Sequence, residues 1–179
     1  MTFPQAPPSS PPGWDTRNRE VSTSDGRAPR VGPRSPLSRE GVGWVAAHGG
    51  AGTTTLAIVL GGTDLGCRWP DPARSEPGRV LLVARTHAAG LRAAARALNA
   101  LREGRHPAGM ELVSLVLVAD TPGRLPLALS RRIRVLRSVT PVRRIPWIAA
   151  WRLGKQAKEL PKAMVQLGSL VAGHAGGNR

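Results

Sequence analysis

The chain has 179 residues and a formal charge of +15, with 41% apolar residues but only 3% aromatic ones and no tyrosine. That length fits one domain plus tails, and the apolar share excludes a wholly disordered polymer. The single cysteine, Cys67, excludes an intrachain disulfide and fits a reducing cytoplasm, where we expect the protein to work.

Nearly all the positive charge is arginine. It suits an acidic partner such as nucleic acid or an anionic membrane. The same arginines, with abundant Ala, Gly and Pro, also match the amino-acid bias of a GC-rich genome. No apolar stretch reaches membrane-spanning length; the best, 112–119, is far too short. Residues 1–12 lack the basic and apolar regions of a secretory signal. Membrane association is therefore not expected.

In chain order, residues 1–40 hold eight of the seventeen prolines and no apolar periodicity. We expect a disordered tail there, its arginines giving a weak, salt-sensitive attraction to phosphates. An ordered domain is expected over 41–153 and a helical tail over 154–179. Val42 to Ala47 is a short apolar run ending in glycines, which reads as a buried strand. Gly52 to Leu60 starts a helix. Gly61 to Gly78 is a long loop with three prolines, a kind of loop that is often functional. Arg79 to Ala84 is a second buried strand. Ala88 to Glu103 is the clearest helix, with Leu91, Ala94, Ala95, Leu98 and Leu101 on one face. Leu112 to Ala119 is a third strand, apolar as a strand covered on both faces should be. Leu125 to Arg137 reads as a helix that admits Pro126 only in its first turn. Val142 to Ile145 is a fourth strand. Strands alternating with helices predict a parallel sheet with helices on both faces.

Between the first strand and the first helix stands Ala47-His48-Gly49-Gly50-Ala51-Gly52-Thr53-Thr54-Thr55-Leu56. Glycines let the backbone curl with its N–H groups inward, and the helix adds its positive end, so the turn is a candidate anion cradle. Hydroxyls at the helix start can cap it or reach a phosphate or Mg²⁺. The plainer alternative is a glycine turn with no ligand.

The segment resembles the deviant P-loop of the MinD/ParA group, whose pattern runs Lys-Gly-Gly-x-Gly-Lys-[Ser/Thr]-Thr. Gly49, Gly50 and Gly52 match, Thr54 falls on the Mg²⁺-binding hydroxyl, and Thr55 stands next to it. The resemblance covers roughly residues 41–153. It implies an α/β fold: a small parallel-sheet, P-loop NTPase-like three-layer sandwich. It implies a binding site of His48, Gly49, Gly50, Ala51, Gly52, Thr53, Thr54 and Thr55, with ATP or ADP and Mg²⁺ as cofactors. Asp120, at the end of the third strand before Thr121-Pro122-Gly123, resembles the group's Mg²⁺-site aspartate and joins Thr54 as a metal-site candidate. On another alignment with the group Asp120 falls near the base-binding region instead, and Asp-Thr-Pro-Gly is also good turn chemistry.

The departures carry chemistry. His48 stands in place of the signature lysine, Thr53 in place of the phosphate-binding lysine, and Ala47 in place of the first glycine of the general P-loop. Charge-assisted hydrogen bonds are about twice as strong as neutral ones. Losing a transition-state donor costs on the order of 3 kcal/mol. We therefore assign no catalytic residue and expect a pseudo-NTPase-like accessory or adaptor protein, with a protein partner. The resemblance links it to plasmid partition, conjugation or secretion. The first alternative is an active MinD/ParA-like ATPase with a rebuilt site; it would need Arg85, Arg68 or Arg124 near the loop and Asp120 close to Thr54. The second is a basic nucleic-acid-binding module, which would need the helix arginines Arg92, Arg96 and Arg102 and Arg131, Arg132, Arg134, Arg137, Arg143 and Arg144 to form one continuous face.

Thr86 is expected to cap the helix that starts at Ala88, and His87 to have no catalytic part. Trp147 and Trp151, four apart, would share a helical face, with core packing as their use. Lys155 to Val171 can form an amphipathic helix, through Leu160, Met164, Leu167 and Val171, that packs on the domain or stays loose; Pro161 fits only at its start.

Overall fold

The computed structural model describes residues 41–155, 157 and 159–172. The expected disordered tail, 1–40, lies outside the described residues.

Five strands form one parallel sheet: β1 (Gly43–Ala46), β2 (Thr63–Asp64), β3 (Arg79–Arg85), β4 (Glu111–Val118) and β5 (Val142–Ile145). Their order is β2-β1-β3-β4-β5. Five α-helices among the described residues accompany them: α1 (Thr53–Leu60), α2 (Ala88–Arg102), α3 (Leu127–Arg137), the single-turn α4 (Ala149–Arg152) and α5 (Lys162–Ala172). The result is a small three-layer α/β sandwich of the generic nucleotide-binding-like kind.

Strand alternation builds two cores. Val45, Val80, Leu82, Leu115 and Leu117 face α2 and α3, meeting Leu91, Ala94, Leu98, Ile133 and Leu136. Val42, Trp44, Leu81, Val83, Val116, Val118 and Ile145 face α1 and α5, meeting Leu56, Met164, Leu167 and Val171. Both faces of the sheet are therefore covered, which is why its inner strands read as unbroken apolar runs.

β2 falls inside what the sequence marks as an uninterrupted loop. It has two exposed residues, paired as Gly43↔Thr63 and Trp44↔Asp64. Local ties fix it to the edge. Thr63 N–H donates to the Val42 carbonyl and Leu65 N–H to that of Trp44, while the Trp44 indole N–H reaches the Gly61 carbonyl at 2.7 Å. The sheet thus grows in one direction from β1 to β2 and in the other from β1 through β3. That reversal between β1 and β3 is the point where ligands of open parallel sheets bind, beyond the strand C-termini.

α5 begins immediately after Pro161, which suits a residue with no N–H to donate. Its buried Met164, Leu167 and Val171 close the α1 face of the sheet, and Leu160 stays exposed. No helix among the described residues is long and apolar enough to cross a membrane. Leu167→Ala is expected to cost about 2–5 kcal/mol of unfolding free energy, read by chemical denaturation. A loss below about 0.5 kcal/mol, the range of surface substitutions, would show that α5 adds nothing to the core.

Candidate functional site

The strand ends determine what gathers at the switch point. β1 and β3 pair from Gly43↔Val80 to Ala46↔Val83, and Ala47 N–H extends the ladder to the Val83 carbonyl at 2.8 Å. The next N–H on β3, that of Arg85, is met by a side chain: it donates to His48 Nε2 at 3.1 Å. The other ring nitrogen, Nδ1, lies 2.8 Å from the Gly49 carbonyl. These two partners demand the tautomer with its proton on Nδ1. His48 is thus a backbone partner for β3, and both of its nitrogens are engaged.

The chain then turns through Gly50 at φ +74° and Gly52 at φ +107°, left-handed conformations that favour glycine. The first backbone bond of α1 runs from Leu56 N–H to the Gly52 carbonyl. The amides of Thr53, Thr54 and Thr55 therefore precede the helix ladder.

Arg85 returns the tie that His48 makes. Its Nε–H donates to the Gly50 carbonyl at 3.3 Å and its Nη1 to the Ala119 carbonyl at 3.2 Å. One guanidinium therefore spans the glycine turn and the end of β4. Beside it, Thr86 Oγ1 accepts from Asp120 N–H at 3.1 Å, so Thr86 braces β4. The cap of α2 is instead His87, whose Nδ1 accepts from Gly90 N–H at 3.0 Å. The His48 and His87 rings are 5.2 Å apart.

Gly90 permits this arrangement. A Cβ there would lie 2.4 Å from the Arg85 carbonyl oxygen and 3.0 Å from His48 Nε2. Without it, α2 could not approach the switch point so closely.

These groups open into a cleft of about 360 Å³, within the usual range for small-molecule sites. The glycine turn, Thr55, Arg85, His87 and Asp120 line it. Trp147, Trp151 and Arg152, after β5, complete the wall. Residues 146–148 are not helical, and α4 starts only at Ala149. The two tryptophans therefore share no helical face; both are half-buried and line the cleft, and Trp151 also packs against the core as expected. Two guanidiniums against one carboxylate make the lining net cationic.

The sequence-marked residues divide into three groups. His48, Gly49, Gly50, Gly52, Thr55 and Asp120 line the cleft. Ala51 and Thr53 are buried. Thr54 lies off the lining, and its hydroxyl donates to Asp64 Oδ2 at 2.5 Å. Among the cationic candidates, Arg85 reaches the turn, whereas Arg68 pairs with Glu76 at 2.6 Å and Arg124 is exposed. Among the described residues no group of three His, Cys, Asp or Glu side chains could hold a metal ion.

Sequence reasoning missed Asp64, Gly90 and the gathering of Trp147, Trp151 and Arg152 at the cleft. A signal existed for Gly90, because a glycine early in an alanine-rich helix costs stability without a packing reason. None existed for Asp64 in its glycine-rich loop.

A family model for DUF6668, a family of unknown function, matches residues 40–167. No curated protein and no solved structure matches the chain.

Asp64 gives the site a pH signature. Burial pulls its pKa upward, but hydrogen bonds from Thr54, from Gly66 N–H at 3.0 Å and from Thr53 outweigh that and hold it below the ordinary aspartate range. A depressed carboxyl contributes stability above its unfolded value, about 3.9. That contribution is lost as pH falls through the folded value. Thr54→Val is expected to move the Asp64 midpoint upward in a carboxyl NMR titration; an unmoved midpoint would contradict the assigned bond.

Proposed function

This chain belongs to the DUF6668 family, and we propose that its cleft binds a phosphate-bearing ligand of nucleotide type without efficient turnover. On this reading it is a pseudo-NTPase-like accessory or adaptor protein. The observation that carries the proposal is the combination at the switch point. A glycine turn with first-turn amides opens into a nucleotide-sized, net cationic cleft, yet the hydroxyl in the Mg²⁺-binding place of the P-loop pattern is committed to Asp64.

The resemblance to the MinD/ParA group favours ATP or ADP as the ligand. It also links such an adaptor to plasmid partition, conjugation or secretion, in the cytoplasm and through a protein partner. The cation that an active site would need is met by Arg85. The metal is the harder requirement. Mg²⁺ held between Thr54 and Asp120 would require Thr54 to leave Asp64 and turn toward the cleft. An ATPase with a rebuilt site therefore requires a rearrangement that binding alone does not.

One observation favours a second reading, as a nucleic-acid-binding module. Residues 121–158 contain eight arginines, two lysines and no acidic residue, whereas 41–120 set eight arginines against six acidic residues. Within 41–120, Arg68, Arg74, Arg79 and Arg105 are ion-paired. On α3, Arg131, Arg132, Arg134 and Arg137 are exposed and make no ion pair among the described residues. A uniform compositional bias would not confine the surplus to one end of the sheet.

The primary proposal is tested by titrating ADP and ATP with and without Mg²⁺ beside a hydrolysis assay. Binding is expected in both conditions, with turnover at background and Thr54→Ala within about twofold of the parent, as for an exposed hydrogen bond. Tight binding only with Mg²⁺, and turnover abolished by Thr54→Ala, would establish the rebuilt ATPase instead. For the second reading, duplex DNA affinity should fall steeply with added salt, and removing one α3 arginine should lower the logarithmic slope by about one. Salt-independent binding would exclude phosphate recognition.

A further inference from the structure

The positive charge of the site has an unexpected source. In the turn itself, the two positions where the P-loop pattern carries lysine hold His48 and Thr53. His48 is occupied on both nitrogens by backbone groups, and Thr53 is buried. Neither can place a cation on a phosphate. Arg85 comes instead from the end of the neighbouring strand.

Its geometry fits that task. A guanidinium has five N–H donors. Gly50 and Ala119 take one on Nε and one on Nη1. The second Nη1 hydrogen and both on Nη2 are not used by these two bonds, and the side chain lines the cleft. Two carbonyls on different elements fix the plane of the group, so little rotamer freedom is left to lose on binding. The backbone is fixed as well, by His48 on Arg85 N–H.

We infer that Arg85 is the anion-recognising residue of this cleft, with a terminal phosphate or diphosphate group as its ligand. His48 is the positioning residue that holds the strand end from which Arg85 reaches. The inference rests on the phosphate-binding reading of the cleft and adds where the charge comes from. Arg85 also closes the turn onto β4, so loop order and charge are supplied by one side chain.

The test uses the full chain with ADP and with inorganic pyrophosphate as probes, both without Mg²⁺. Binding is followed by tryptophan fluorescence, since Trp147 and Trp151 line the cleft, and confirmed by calorimetry. Arg85→Gln is expected to weaken both probes by about ten- to a hundredfold, the usual effect of losing a charged hydrogen-bond partner. Arg85→Lys keeps the charge but cannot span two carbonyls, and is expected to retain most of the affinity that Arg85→Gln loses. Thermal melts of both variants identify any unfolding. Should Arg85→Gln unfold, the Lys variant with added salt decides: affinity that is both retained and screened by salt supports the charge role.

Three results overturn the inference. If the parent binds both probes and Arg85→Gln binds them equally well, the cleft reading stands and Arg85 is only a tether. If folded Arg85→Lys is as weak as Arg85→Gln, the carbonyl ties matter and the charge does not. If the parent binds neither probe, the cleft reading fails and takes the inference with it.

Discussion

The pairing of β1 with β3 at the centre of the sheet is the constraint on which the site depends. Backbone hydrogen bonds carry that ladder as far as Ala47 and Val83. Beyond them the chain must leave β1 for α1, and an N–H on β3 would be left open where the sheet is half-buried. An unpaired backbone donor in that position costs free energy comparable to a lost hydrogen bond. The His48 ring fills the gap. One imidazole thereby fixes the start of the glycine turn, the end of β3 and the direction from which Arg85 reaches back.

From that lock the other contacts follow. α2 has to start close to the strand ends, and only glycine at position 90 allows it. Its first turn is capped by a second imidazole, while the hydroxyl that sequence statistics favour as a cap is diverted to hold Asp120. The wall formed by Trp147 and Trp151 sits where β5 ends, because Ala119 N–H pairs with the Ile145 carbonyl and brings the two loops level. Fold and cleft are consequences of one register. The glycine turn alone would be an ordinary connection.

Much of the architecture was legible in the sequence for a physical reason. Strands buried on both faces must be continuously apolar, so β1, β3 and β4 announce themselves, and the amphipathic faces of α2 and α3 mark their own inner sides. β2 was not legible, because two exposed polar residues held by neighbouring backbone leave no pattern. The glycine turn was visible as a motif. Which hydroxyl faces the cleft was not, since Thr53 and Thr54 turn to Asp64 and only Thr55 lines the cleft. Thr86 was assigned the cap by residue preference, and the accepting nitrogen of His87 took that role. Arg85 was legible as a residue at the right sheet edge, but its reach to Gly50 depends on a register that composition does not encode.

The central claim is that the glycine turn, Arg85 and the tryptophan wall form one ligand site. The most direct measurement is a two-dimensional amide NMR titration of the full chain with ADP. The account requires shifts concentrated in Gly49 to Thr55, Arg85 to His87, Asp120 and the indole N–H groups of Trp147 and Trp151. Shifts absent from the turn, or confined to the arginine face of α3, would contradict it.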